Sequence, residues 1–228
     1  MMNTIVISLG GSLVVPDEID YNFIKNFRKI LVKLSKKTKF VIVVGGGKTA
    51  RNYINAFARE GVSEKVKSLI GIAITRLNAR FMETFFGKYS TQHLPTTLNE
   101  IKNMLRRDNL IFAGALRYVP NNTSDGTAAQ LAAYLKTDFI NLTNVNGLYT
   151  KNPKEHKDAK FIPRISFNEF YKRAMKIKYK AGQHFVLDQN AARIIKRHRI
   201  RTMILNGNNL KNFENCLEGK KFVGTVIG

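Results

Sequence analysis

Two short and almost wholly apolar segments each run straight into a cluster of glycines. Residues 5–9 read Ile-Val-Ile-Ser-Leu and stop at Gly10-Gly11, and residues 40–44 read Phe-Val-Ile-Val-Val and stop at Gly45-Gly46-Gly47. A β-branched run of that length without polar alternation predicts a strand covered on both faces, and paired glycines end it in a tight turn. Between the two, residues 17–37 place Ile19, Phe23, Ile24, Phe27, Ile30, Leu31 and Leu34 at helical spacing, with Lys and Arg on the other face. The alternation continues downstream. A helix follows from about Thr49, strands at 110–113 and 139–143 flank an Ala-rich helix at 126–135, and a helix at 189–198 leads into a strand at 202–205. Apolar strands alternating with helices predict an α/β fold with a mainly parallel sheet covered on both faces.

The chain has 228 residues, 44% of them hydrophobic, with 15 Phe and 8 Tyr, enough to bury a sizeable core and to exclude wholesale disorder. No internal repeat, low-complexity tract or linker interrupts it, so positions 1–228 read as one domain. Lys and Arg total 38 against 16 Asp and Glu, a formal charge of +22 that attracts phosphates. Nucleotides, nucleic acid and an anionic membrane surface all qualify, as does a solvated surface of biased composition. No aromatic-basic stacking motif accompanies the charge, which argues against nucleic acid as the partner. No apolar run approaches the ~20 residues that span a bilayer. The first residues pass into a strand without a basic region leading to an apolar signal segment, and the single cysteine, Cys216, has no internal partner. Both point to a reducing, cytoplasmic compartment.

In a parallel sheet, ligands collect at the carboxyl ends of strands, where loops enter helix N-termini. Glycines there let backbone approach an anion. The Gly45–Gly47 cluster continues into Lys48-Thr49, as a P-loop would, but the glycine such a loop needs five positions earlier is Ile42, inside the strand. The dinucleotide pattern G-x-G-x-x-G is absent after the first strand, against a nicotinamide enzyme. Two such turns after parallel strands, with Lys48 and Arg51 close behind, predict a phosphate site. Asp125 in Thr123-Ser124-Asp125-Gly126 and Asp188 before Gln189 each precede a helix. Each reads either as an N-cap or as a carboxylate orienting a cation or metal-bound phosphate. His93, His156, His184 and His198 lack metal-ligand spacing, and one cysteine excludes a CxxC pair, so a zinc site is not expected. No G-x-S-x-G elbow signals a serine hydrolase.

Six segments together resemble the amino acid kinase family, and within it the archaeal-type UMP kinases. They are Ile-Ser-Leu-Gly-Gly-Ser at 7–12, Val-Val-Gly-Gly-Gly-Lys-Thr-Ala-Arg at 43–51, and Gly-Ile-Ala-Ile-Thr-Arg-Leu-Asn at 71–78, which is the segment most specific to that branch. Next are Thr-Ser-Asp-Gly-Thr-Ala-Ala at 123–129, Thr-Asn-Val-Asn-Gly-Leu-Tyr-Thr-Lys-Asn-Pro at 143–153 and Lys-Ala-Gly-Gln-His-Phe-Val-Leu-Asp at 180–188. The resemblance implies a three-layer αβα sandwich around a mainly parallel sheet. About 1–135 would form the acceptor half and about 136–228 the ATP half. It implies ATP-dependent phosphorylation of UMP to UDP, with Mg²⁺ accompanying ATP, and a homo-oligomer, hexameric in the family.

By motif, Gly10, Gly11, Gly47 and Arg51 would surround the transferring phosphates of ATP. Gly46, Asn122, Thr123 and Ser124 would hold UMP. Thr143, Asn144, Tyr149 and Asn152 would lie at the adenine and ribose end, and Arg51, Asp125 and Asp188 would be the catalytic group. Several positions depart from the family pattern. Ser8 stands where many relatives carry lysine, Ser68 falls near an acid that grips the ribose, and Asn146 and Asn152 replace aspartates. The 114–123 loop also lacks the Gly-Gly-Thr-His-Pro-Gly-His pattern of archaeal members. Two rivals stay open: a kinase for another small phosphate or carboxylate acceptor such as isopentenyl phosphate, and a nucleotide-binding regulator with weakened catalysis.

Overall fold

The two glycine-terminated runs are neighbouring interior strands of a seven-stranded sheet. The computed structural model describes residues 2–119, 122–151, 153, 155–176 and 187–228. Strand β1 (Asn3–Leu9) leads through a short helix α1 (Gly11–Val14) to α2 (Tyr21–Leu34) and β2 (Thr38–Val44). Helices α3 (Gly47–Arg59) and α4 (Glu64–Phe86), a 3-10 turn at Gly87–Tyr89, and α5 (Leu98–Met104) then connect to the edge strand β3 (Leu110–Ala113). Helix α6 (Ser124–Leu135) returns the chain to β4 (Asp138–Thr143). The remainder comprises a hairpin β5 (Leu148–Tyr149) and β6 (Phe161–Ile162), β7 (Arg164–Ile165), α7 (Phe167–Lys176), α8 (Gln189–His198), β8 (Thr202–Asn206), α9 (Leu210–Leu217) and β9 (Thr225–Ile227).

The strand order is β3-β2-β1-β4-β8-β9-β7, parallel from β3 through β8, with β9 antiparallel to β8. Strand alternation splits the core in two. Ile5, Ile7, Leu9, Phe40, Ile42 and Val44 share one cluster with α2, α4 and α9, whereas Val6, Val41 and Val43 share the other with α6, α7 and α8. This is the expected three-layer arrangement. The first core is rich in phenylalanine: Phe27 stacks on Phe23 at 5.6 Å and on Phe213 at 5.7 Å, and Phe86 meets Phe112 edge-on at 4.6 Å. The second is built on small residues. Ala128, Ala129 and Ala132 are fully buried on α6, so that helix lies close on β1, β2 and β4.

The helical pattern read over 17–37 forms a helix only from Tyr21, because Asp20 accepts a hydrogen bond from Phe23 N at 2.9 Å and caps it there. Ile19 is left exposed. Cys216 is half-buried, and burial pushes its thiol up to about 12, which disfavours the reactive thiolate. No helix among the described residues is long and apolar enough to cross a membrane. One region contrasts with the rest: no residue between positions 46 and 73 is buried, although α3 and the first half of α4 are regular helix.

Candidate phosphoryl-transfer site

The chain runs outward from β1 to β2 and β3, then crosses back to β4 on the other side of β1. That reversal is the switch point where open α/β sheets bind ligands. The turns after β1 and β2 meet there. Gly45 N donates to Leu9 O at 2.9 Å and Gly10 N to Leu142 O at 3.0 Å, which ties both turns to the ends of β1 and β4. The contact leaves no room for side chains: a Cβ on Gly11 would lie 2.1 Å from Gly47 N and 2.5 Å from Gly45 O. Gly47 also takes φ +65, the left-handed region that favours glycine. Helices α2, α4, α5, α6, α8 and α9 all receive a side-chain cap, while α1 and α3, the two that follow the glycine turns, start without one. Their first N–H groups are thus not claimed by a capping side chain.

Above β1 sits the start of α6. Its cap is Thr123, whose Oγ1 accepts from Asp125 N at 3.1 Å. The N-cap reading of Asp125 is therefore overturned; the residue lies inside the first turn. Its carboxylate instead accepts from Ser8 Oγ at 2.6 Å. Burial, the dominant cause, pushes the Asp125 pKa up to about 7, with the Ser8 hydrogen bond opposing and the Asp188 charge adding. Asp188 does cap its helix, accepting from Ala191 N at 2.6 Å, and it also accepts from the Thr123 hydroxyl. One threonine thus links the two aspartates. Asn122 Nδ2 donates to Thr127 Oγ1 at 3.3 Å and its Oδ1 accepts from Asn190 Nδ2 at 2.6 Å. A Cβ on Gly126 would meet that Oδ1 at 2.0 Å, so the glycine lets Asn122 fold over the helix start. Ser124 opens α6 half-buried.

Among the residues expected at the nucleotide end, Thr143 closes β4, and its carbonyl accepts from Gly207 N at 2.8 Å. Asn144 follows directly. Tyr149 stands on the separate β5–β6 hairpin, its ring 5.4 Å from that of Phe161. Thr225 anchors the hairpin, with Oγ1 accepting from Leu148 N at 2.7 Å and donating to Ile162 O at 2.6 Å. Asn152, most of the 180–188 segment and His184 lie outside the described residues. Gly10, Gly11, Gly46, Gly47, Thr143 and Asn144 thus share the ends of three adjacent strands. Arg51 does not join them through any contact: it is exposed on α3, with no hydrogen bond or ion pair to a described residue. Lys48 pairs with Asp17. Among the described residues, no group of three His, Cys, Asp or Glu side chains could hold a metal ion.

The segment at 71–78 carried a resemblance but no residue roles, and the structure supplies them. Thr75 Oγ1 accepts from Ala115 N at 3.0 Å, and Arg76 Nε donates to Ala115 O at 3.1 Å while its Nη2 donates to Leu116 O. Asn78 Nδ2 donates to Gly45 O at 2.8 Å. Helix α4 therefore fastens both the loop after β3 and the turn after β2. No motif signals these bonds, since they join segments about 40 residues apart. Replacing Arg76 by Met leaves two carbonyls without a charged donor and should cost about 1.5–3 kcal/mol. Hydrogen exchange should speed up at the amides of 115–119, and unchanged exchange there would mean that Arg76 does not hold the loop.

With this geometry in view, the sequence relationships are informative. The amino acid kinase family profile matches residues 3–206. The chain is 35% identical to the uridylate kinase of Thermococcus kodakarensis over 98% of each chain. It is also 35% identical to that of Thermoplasma volcanium, over 100% of this chain and 98% of the other. Its structure is similar to the crystal structure of uridylate kinase from Archaeoglobus fulgidus, with a TM-score of 0.84 at 34% identity over 98% of this chain and 99% of that one. Profile, full-length identity and shared architecture all agree: the chain belongs to the amino acid kinase family.

Proposed function

We propose that this protein transfers the γ-phosphoryl group of MgATP to UMP, giving UDP and ADP. The observation that carries the reading is the meeting of two glycine turns at the switch point beneath a half-buried aspartate held by Ser8. Phosphoryl transfer asks for two anions held in line and for their charge to be neutralised, with little covalent work from the protein. Backbone stripped of side chains can approach both phosphates at once, and the uncapped starts of α1 and α3 favour negative charge. In this reading Gly10, Gly11 and Gly47 accommodate the ATP phosphates. Gly46, Asn122, Thr123 and Ser124 hold UMP, and Thr143, Asn144 and Tyr149 serve the nucleoside of ATP. Arg51 would neutralise the transferring group, with Asp125 and Asp188 ordering the centre. Mg²⁺ arrives with the nucleotide as part of the substrate and neutralises phosphate charge. The full-length similarity to uridylate kinases supports UMP over other acceptors.

In this reading the loop after β3, which Thr75 and Arg76 fasten, would close over UMP. In the same reading about 1–135 would form the acceptor half and about 136–228 the ATP half. A cytoplasmic homo-oligomer, a hexamer by family resemblance, completes the proposal, and Val66, Leu69 and Leu77 give α4 an exposed apolar side for assembly. The test is ATP consumption in the presence of Mg²⁺ with UMP, CMP, dUMP, isopentenyl phosphate and carbamate offered separately. UMP should turn over fastest, and no turnover should occur without the metal. Equal or faster turnover of a non-nucleotide acceptor would overturn the assignment.

A further inference from the structure

Ser8 is a polar side chain in a strand otherwise built for the core. Its neighbours on β1, Ile7 and Leu9, point into the phenylalanine-rich cluster, whereas Ser8 shares the Val6 side, against α6. It is 1% exposed, so its hydroxyl needs a protein partner, and it takes the Asp125 carboxylate at 2.6 Å across 117 residues of sequence. The strand that makes this bond is the one that continues into Gly10-Gly11. Among the described residues, the elements packed on α6 bring no cation to the same point. In register with Ser8, β2 offers Val43 and β4 offers Asn141. At its start α8 offers Asp188, a second negative charge. On α5, Glu100 is engaged with Thr96 and Thr97, and Lys102 lies over the Tyr134 ring.

We propose that Ser8 is a positioning residue of the transfer reaction, holding the Asp125 carboxylate in one orientation against β1 at a point where no described cation does so. The proposal rests on the reading of Asp125 as part of the reaction centre. A buried carboxylate beside another carboxylate is driven toward its protonated form, and a donated hydrogen bond is what favours the ionised one. Ser8 supplies that bond. Removing the hydroxyl takes away both the orientation and the preference for charge, so the loss must depend on pH. A loss that came only from weaker packing would be the same at every pH.

The experiment compares the parent protein with Ser8→Ala and Ser8→Thr, measuring kcat and both KM values for UMP phosphorylation from about pH 5.5 to about pH 9. Ser8→Ala should move the acid limb of kcat upward by about one pH unit. This corresponds to a loss of roughly 8-fold near pH 6.5 that shrinks to under roughly 2-fold near pH 8.5. Both KM values should stay within about 2-fold of the parent, and Ser8→Thr, which keeps the hydroxyl on a strand-favouring side chain, should restore the profile. An unmoved acid limb, or an equal loss at every pH, would overturn the proposal. Should Ser8→Ala fail to fold, Ser8→Cys keeps the volume with a weaker donor and reads the same displacement. A parent that does not phosphorylate UMP would end the functional reading instead. The Asp125 carboxyl titration by carbon-13 NMR then still tests Ser8, because its midpoint must rise in Ser8→Ala if Ser8 holds the carboxylate.

Discussion

Asp125→Asn is expected to lose at least ~100-fold in turnover while becoming more stable than the parent at alkaline pH. The two effects have one origin. The folded protein holds the Asp125 proton to about pH 7, whereas an unfolded aspartate releases it near the ordinary value of 3.8. A raised acid pKa means that the folded state binds the proton more tightly, so stability falls as pH rises between those two values and is flat above. The amide has no proton to lose and escapes this penalty. The stability gap between variant and parent should therefore be absent near pH 4, open through the acidic range and reach at most about 4 kcal/mol above pH 7. Asn keeps an oxygen for the Ser8 hydroxyl, so the fold should hold. Denaturant melts at both ends of the range, paired with an ADP-release assay, measure both effects. A fully active Asn variant would reduce Asp125 to a buried acid with no part in the chemistry.

Arg51→Ala should cut kcat by roughly 100-fold or more with melting behaviour unchanged, the magnitude expected for a cation aimed at the transferring phosphoryl group. Arg51 sits on the second turn of α3, exposed, with no hydrogen bond or ion pair to a described residue. Its removal therefore breaks no hydrogen bond or ion pair to a described residue and should change stability by no more than about 0.5 kcal/mol. Near a helix start a positive charge is mildly unfavourable, which leaves bound phosphate as its natural counter-charge. Arg51→Lys should recover part of the rate, since the charge returns without the planar fork. Steady-state kinetics at saturating ATP and UMP decide the matter, and a normal kcat in Arg51→Ala would return the residue to the solvated surface.

The central strands were legible because burial on both faces leaves an unbroken apolar signature, and β3 spans the four residues that its composition marks, Leu110–Ala113. The glycine turns were legible as punctuation, though not their mutual contact. Asp125 shows where local reading stops. An aspartate three residues before a pair of alanines looks like a cap, yet Thr123 takes that place and Ser8, distant in sequence, takes the carboxylate. The 71–78 segment likewise hides its work, because Thr75, Arg76 and Asn78 act on loops after other strands. Helix α4 itself gave a weak pattern: Val66, Leu69 and Leu77 are exposed apolar residues that blur the division between its faces.

The absence of any buried residue between positions 46 and 73 has a thermodynamic consequence. In the single chain, a segment that buries so little can unfold or swing away without disturbing either hydrophobic cluster, so its opening free energy there belongs at the low end of the molecule's range. Its fixed end is where α4 enters the core, at Ile74 and Thr75, with Asn78 bonded to Gly45. Arg51 rides on the loose part. If Arg51 serves the transferred phosphoryl group as proposed, its guanidinium would reach that group only for the fraction of time that the segment is seated, and apparent affinity would be lowered by that fraction. Bound phosphate would act first as a clasp on these helices, and its stabilising effect would register as slowed proteolysis of 46–73 before any rise in the melting temperature of the whole.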